Sequence, residues 1–214
     1  MTPADYVILT EGYQTFSQGT DMPSRREFLE QTVRFSAALT LPIGVPTSWA
    51  AGSSGVEVND VQSQLNATRV RRIVRPTSLD ALQTALRDAK HEGRAVSVAG
   101  GRHAMGGQQF GRDSVLLDMT GFNRVLTFDR KNGRIEVQAG IEWPELIEYL
   151  HRNQTTEQKS WAIREKQTGV DRVSLGGSLA SNIHGRGLRF PPIISDVESF
   201  VLVNADGETH TCSR

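Results

Sequence analysis

Leu79, Leu82, Leu86 and Ala89 recur at helical spacing, which predicts an amphipathic helix with one apolar stripe. Thr77 or Ser78 can cap its start and Gly93 ends it. Ahead of it, Val70, Ile73 and Val74 read as a short strand stopping at Pro76; behind it, Ala95–Val98 and Ser114–Asp118 read as two more. Arg124–Asp129 and Arg134–Ala139 face each other across Lys131-Asn132-Gly133, where Asn-Gly is a hairpin signal because both residues tolerate positive φ. Pro144 suits the first turn of a helix carrying Leu146, Ile147 and Leu150. Val197–Asn204 and Glu208–Cys212 pair across Asp206-Gly207. Strands and helices thus mix without an internal repeat, and the fold class expected is α+β.

Two glycine-rich segments interrupt this pattern. Ala99–Gly107 leaves the strand directly and places Gly100, Gly101, Gly106 and Gly107 around Arg102 and His103. Ser174–Gly187 is the second, with His184 inside it. Glycines leave main-chain N–H groups accessible and allow close approach, which binding a diphosphate through backbone donors requires. Neither segment is a G-x-G-x-x-G fingerprint or a G-x-x-x-x-G-K-[ST] loop, and no helical pattern follows the first at once, so the Rossmann and P-loop readings fail on context. One such loop alone is as well explained by a tight connection. Two of them suggest a pocket that clamps an extended phosphate-bearing ligand from both sides.

The first fifty residues follow another logic. Ser24-Arg25-Arg26-Glu27-Phe28-Leu29 precedes a mildly apolar run, Phe35–Val45, too short to span a bilayer, and Ser48-Trp49-Ala50 offers small residues where a signal peptidase reads. The order resembles a twin-arginine export signal cleaved after Ala50, which implies export machinery as a partner and a periplasmic destination. An amphipathic helix with solvated arginines is the alternative. Asp5, Glu11 and Asp21 are unusual ahead of such a signal and make Met22 a candidate start. Residues 51–68, whose first part is rich in Gly, Ser, Asn and Val, read as a linker, and 69–214 as the folded domain.

Composition narrows the function. Lys plus Arg and Asp plus Glu each number 24, so net charge is zero and no basic run offers a nucleic-acid or membrane footprint. Cys212 is the single cysteine, which excludes an intramolecular disulfide and a Cys-based zinc site, and no metal is expected.

Val98-Ala-Gly-Gly-Arg-His-Ala-Met-Gly-Gly-Gln108, the strand Val115–Met119, Ser174-Leu-Gly-Gly-Ser-Leu-Ala-Ser-Asn182 with His184-Gly185, and Val201–Gly207 together resemble the PCMH-type FAD-binding domain of the vanillyl-alcohol oxidase and p-cresol methylhydroxylase superfamily. The similarity runs from Arg69 to the end and is greatest to the branch of sugar-lactone oxidases, alditol oxidases and cytokinin dehydrogenases. It implies a domain of two α+β subdomains that binds FAD, with a first loop (Gly100, Gly101, Arg102, His103, Ala104, Gly107, Gln108) around the pyrophosphate. A histidine at the place of His103 is covalently bonded to the flavin 8α-methyl carbon in many members; the commoner Gly-His-Ser is here Arg102-His103-Ala104. Ser174, Gly177 and Ser178 resemble positions that meet the pyrophosphate and ribityl chain, and Asn182 and His184 a second flavin-binding segment. The resemblance further implies a substrate cap domain and a final piece of the FAD domain beyond Arg214, so the chain is expected to be the N-terminal portion of a flavoenzyme, C-terminally incomplete, with a complementary C-terminal fragment as a candidate partner.

The expected activity is oxidation of a CH–OH group in a small molecule, a sugar lactone or polyol, with the catalytic base unassigned; the alternative is a non-catalytic flavin-binding or assembly fragment of a split or truncated flavoenzyme. Plain structural readings stand beside each residue. His103 and His184 can be loop histidines bonded to backbone, Gly176-Gly177 a tight start to a helix, Trp143 and Trp161 core anchors, Arg69, Arg71, Arg72 and Arg75 a solvated face, and Cys212 a small buried residue.

Overall fold

The computed structural model describes residues 55–154, 160–164, 166, 169–187, 189 and 191–213. The arginine pair Arg25-Arg26, the cleavage position after Ala50 and the candidate start Met22 lie outside the described residues.

The chain begins with strands β1 (Val56–Val58) and β2 (Thr68–Val70), paired antiparallel with Val56 opposite Val70. Strands β3 (Arg72–Val74), β4 (Val96–Ala99) and β5 (Val115–Asp118) form a parallel sheet in the order β3-β5-β4. Every residue of β5 is buried, as expected for a central parallel strand covered on both faces. Between β3 and β4 runs α1 (Leu79–His91), started by Ser78, whose side chain accepts from the Ala81 N–H, and ended at Gly93, whose φ of +63° suits glycine after a helix. Of its predicted stripe Leu82, Leu86 and Ala89 are buried and Leu79 half-buried, with Ala85 added to them, and Leu82, Ala85 and Leu86 pack with Leu117, Met119 and Phe122. On the opposite side Leu116 joins Val58, Val70 and Ala99.

Strands β6 (Val125–Asp129) and β7 (Arg134–Val137) form the Asn-Gly hairpin, and α2 (Trp143–Arg152) follows. Its N-cap is Glu142, tied reciprocally to Glu145 in a capping box, with Pro144 in the first turn. A short helix α3 (Leu175–Ala180) and hairpin β8 (Ser199–Val203) with β9 (Thr209–Ser213) complete the described chain. Ile141, Trp143, Leu146, Leu150, Ile183 and Ile193 make a second core beside the β6–β7 hairpin. The two cores, one centred on the parallel sheet and one on α2, are the two α+β halves expected.

Three readings change on contact with the structure. Residues 55–68, expected as a linker, carry β1 and a loop folded around a buried carboxylate, because the polar side chains there bond inward to one another and to the first glycine loop. Trp161 is not a core anchor: it is 46% exposed, with its Nε1–H donating to the Arg130 carbonyl at 2.7 Å, whereas Trp143 is buried. The arginines around β2 and β3 are partly paired, Arg72 with Glu92 at 2.5 Å and Arg75 with Asp118 at 2.6 Å.

Candidate functional site

Strand β4 ends at Ala99, opposite Asp118 of β5, and the first glycine loop leaves from that edge. Asp118 pins the neighbourhood: one carboxylate oxygen accepts from the Arg75 Nε and Nη2 at 3.0 and 2.6 Å, the other from the Thr120 N–H and hydroxyl. Partial burial pushes the Asp118 carboxyl up, but the bonds from Thr120 and Arg75 outweigh it and hold the group below its ordinary range.

The two glycine-rich segments meet. A Cβ on Gly100 would collide with the Ser174 hydroxyl, and one on Gly101 with the Arg172 carbonyl, while Glu142 Oε1 lies only 2.9 Å from that same position. Arg172, largely exposed, is ion-paired to Glu142 at 3.2 Å. Glycine is therefore required at 100 and 101 by close approach of the second segment.

Along the first loop, none of the main-chain N–H groups from Gly101 to Gly106 donates to a protein acceptor among the described residues. Three carbonyls of the same stretch are occupied: Arg102 O accepts from the Val61 N–H at 3.0 Å, Ala104 O from the Gly107 N–H and Gln109 Nε2, and Met105 O from Asn66 Nδ2 at 2.6 Å. Arg102 has φ of +56°, the left-handed region that a non-glycine residue adopts at a cost of about 1 kcal/mol, and alternation of this kind curves a run of amides into an anion-binding concavity. His103 Nδ1 is buried with no hydrogen-bond partner, so the backbone-bonded reading of this histidine is not what the structure presents. Gln108 is exposed, and its amide oxygen lies 2.7 Å from where a Gly106 Cβ would stand.

The second segment is arranged differently. Ser174 caps α3 by accepting from the Gly177 N–H at 3.3 Å; the Leu175 and Gly176 N–H groups are taken by the carbonyls of Ile141 and Ala139, and the Ser178 N–H by Ser174 O. Ser178 is fully buried with its hydroxyl unpartnered. Asn182, at φ of +42°, ends the helix by donating its N–H to Leu179 O, and the exposed His184 pairs its Nδ1 with Gly185 O at 2.9 Å, its plain backbone-bonded reading. Gly177 is exposed beside Ser174.

Comparison with known proteins decides the family: the one described as an FAD binding domain matches residues 70–213. The chain belongs to the FAD binding domain family. This FAD binding domain is similar to L-gulono-1,4-lactone dehydrogenase of Mycobacterium tuberculosis, 33% identical over 142 residues that cover 66% of this chain and 31% of that one. It is 31% identical over 170 residues to L-galactono-1,4-lactone dehydrogenase 1, mitochondrial, of Oryza sativa subsp. japonica, covering 79% and 28%. Against L-gulonolactone oxidase of Mus musculus the figures are 27% over 139 residues, 65% and 30%. The domain thus spans about a third of the length of these relatives. Among solved structures it superposes on a variant of Phl p 4, a glucose dehydrogenase, with TM-score 0.54 and 21% identity over 65% of this chain and 28% of that one, which establishes the fold.

The fit of the FAD binding domain to its cofactor can be judged on its own atoms. The unpaired run of amides and the orphaned His103 nitrogen fit the donor set a dinucleotide flavin calls for. A separate open groove of about 780 Å³, lined by Phe128, Trp143, Leu146, Trp161 and Phe200, borders the second segment at Leu175, Gly176 and Leu179. The amides lie outside it, and donor chemistry rather than volume marks the site. Sequence reasoning missed Asp60, Asn66, Glu142 and Arg172. The run Asn59-Asp60, Ser63 and Asn66 held the available signal, since Asx and Ser residues at these spacings form side-chain to backbone turns.

Proposed function

We propose that Gly100, Gly101, Arg102, His103, Ala104, Gly107 and Gln108 receive the pyrophosphate and flavin side of FAD, with Ser174, Gly177, Ser178, Asn182 and His184 on the facing segment. The observation that carries this is the unbroken run of unpaired N–H groups from Gly101 to Gly106, closed from one side by Ser174. Backbone donors there stabilise phosphate charge without a side-chain cation, and Gly100 and Gly101 let the two segments close on the ligand. The bound flavin supplies the capacity to accept a hydride; the protein binds and orients it.

The whole protein of which this domain is characteristic oxidises a CH–OH group, and a sugar lactone or polyol is the substrate class its relatives' names support. His103 is the residue for covalent attachment. Its Nδ1 has no protein partner, and a neutral imidazole is nucleophilic enough to bond the flavin 8α-methyl carbon. In balance, one hydrogen leaves the ring nitrogen and one the methyl carbon, and dioxygen takes both with the electron pair to give hydrogen peroxide. The order Arg25-Arg26, apolar run and Ala50 supports export to the periplasm; changing both arginines to Lys should trap the precursor in the cytoplasm.

Titration of the full chain with FAD tests the cofactor reading: the expected result is flavin binding and a raised melting temperature, because a ligand that binds only the native state stabilises it. Stably folded protein unmoved by FAD overturns the assignment. For covalency, flavin should stay with the polypeptide through acid precipitation and be released in His103→Ala; flavin lost from the wild type on denaturation removes the bond and leaves His103 as a non-covalent contact.

A further inference from the structure

Beneath the cofactor loop lies the segment Asn59–Asn66. Asp60 is 1% exposed, and its carboxylate accepts from the N–H groups of Gln62, Ser63 and Gln64, the Ser63 hydroxyl at 2.9 Å and Asn66 Nδ2 at 2.8 Å. The second hydrogen of Asn66 Nδ2 reaches Met105 O at 2.6 Å, and the backbone of Asn66 is fixed in turn by its N–H bond to Asn59 Oδ1. A Cβ on Gly107 would stand 2.8 Å from the Asn66 Cβ, so the two chains touch there as well. One residue along, the Val61 N–H holds Arg102 O.

In a trans peptide the C=O of one residue and the N–H of the next point in opposite directions, and all the described peptides are trans. Pulling the carbonyls of Arg102 and Met105 toward the Asn59–Asn66 segment therefore turns the N–H groups of His103 and Gly106 away from it. The carbonyl of Ala104 is fixed within the loop itself, by Gly107 and Gln109, and with it the Met105 peptide. We propose that Asp60 and Asn66 are positioning residues for the cofactor: the carboxylate fixes the Asn66 amide, the amide fixes the Met105 carbonyl, and the loop amides are thereby aimed at the ligand before it arrives. A charged acceptor strengthens such a chain of bonds, and preorganised donors spare the ligand the cost of ordering the loop. This rests on the reading of Gly101–Gly106 as the FAD pyrophosphate loop.

The test uses the full chain and FAD, with hydrogen exchange as a second readout. Asn66→Ala should weaken FAD binding about tenfold, the loss of one well-placed bond, and in protein without flavin should speed amide exchange at Val61 and Gly107, whose N–H groups hold the loop carbonyls of Arg102 and Ala104, while leaving Val115–Asp118 protected. Asp60→Asn, which keeps the shape but removes the charge, should do the same to a smaller degree and serves where Asn66→Ala does not fold. Wild-type affinity together with unchanged exchange in a folded variant overturns the inference and leaves the cofactor site standing. A wild-type chain that binds no FAD overturns both.

Discussion

The two glycine-rich segments look alike in sequence and differ in what their amides do. From Gly101 to Gly106 the donors are unpaired among the described residues, and the carbonyls of Arg102 and Met105 are held from below; from Leu175 to Ser178 the donors are consumed by Ile141, Ala139 and Ser174. Glycine content marks where the backbone can come close, and the occupied carbonyls decide which way its N–H groups face. In the function proposed here the first segment is the binding surface, and the second is a wall built against it.

The sharpest way to break that contrast is to place the same methyl group on each segment. Gly101→Ala drives a Cβ into the Arg172 carbonyl, which is backbone and cannot rotate away. It should cost about 2 kcal/mol of overpacking and abolish measurable FAD binding in a titration, whereas full binding by Gly101→Ala would show the segments to be less closely joined.

Acid gives a second, smaller contrast. Burial raises the Asp60 carboxyl, but bonds from Asn66, Ser63 and Gln64 more than offset this and leave it well below the carboxylate range. A depressed folded pKa means the contribution is full above the unfolded value of about 4 and is lost as pH falls through the folded one. Protection of the Gln62, Ser63 and Gln64 N–H groups, which the carboxylate accepts, should therefore persist to strongly acidic pH in the wild type, and Asp60→Asn should lower it already at pH about 5.

The smallest effects belong to the second segment. Ser174→Ala removes the α3 cap and should lower stability by about 0.5–1 kcal/mol in denaturant unfolding, the low end for a cap because the 3.3 Å bond is long. Gly177→Ala, whose Cβ meets only the Ser174 hydroxyl at 3.2 Å, should change FAD affinity less than about twofold. A large loss there would make the second segment a ligand-binding surface equal to the first.

Most elements were legible because their signals are local. The stripe of α1, the Asn-Gly hairpin and Pro144 at the start of α2 each act within a few residues, and the observed bounds fall close to those read from the pattern. The positions of Gly100, Gly101, His103 and Ser174 were legible as a motif, but their contact was not, since it joins segments far apart in the chain. Asn59–Asn66 was read as a linker for the same reason: its composition is that of a flexible connection, and its defining bond reaches 39 residues ahead to Met105. Glu142 carries no local signal for its place beside Gly101, which depends on tertiary approach alone.

The central place of β5 has a consequence for synthesis. In the described sheet, β3 and β4 touch only β5, which is made last of the three. A chain leaving the ribosome therefore carries two unpaired strands, and the first glycine loop between β4 and β5, until Asp118 has emerged. The sheet closes around a connection already laid down, by contacts of long sequence separation that form slowly. For that interval the partners of the Arg102 and Met105 carbonyls, Val61 and Asn66, are already made, while the strand that anchors the far end of the loop is not.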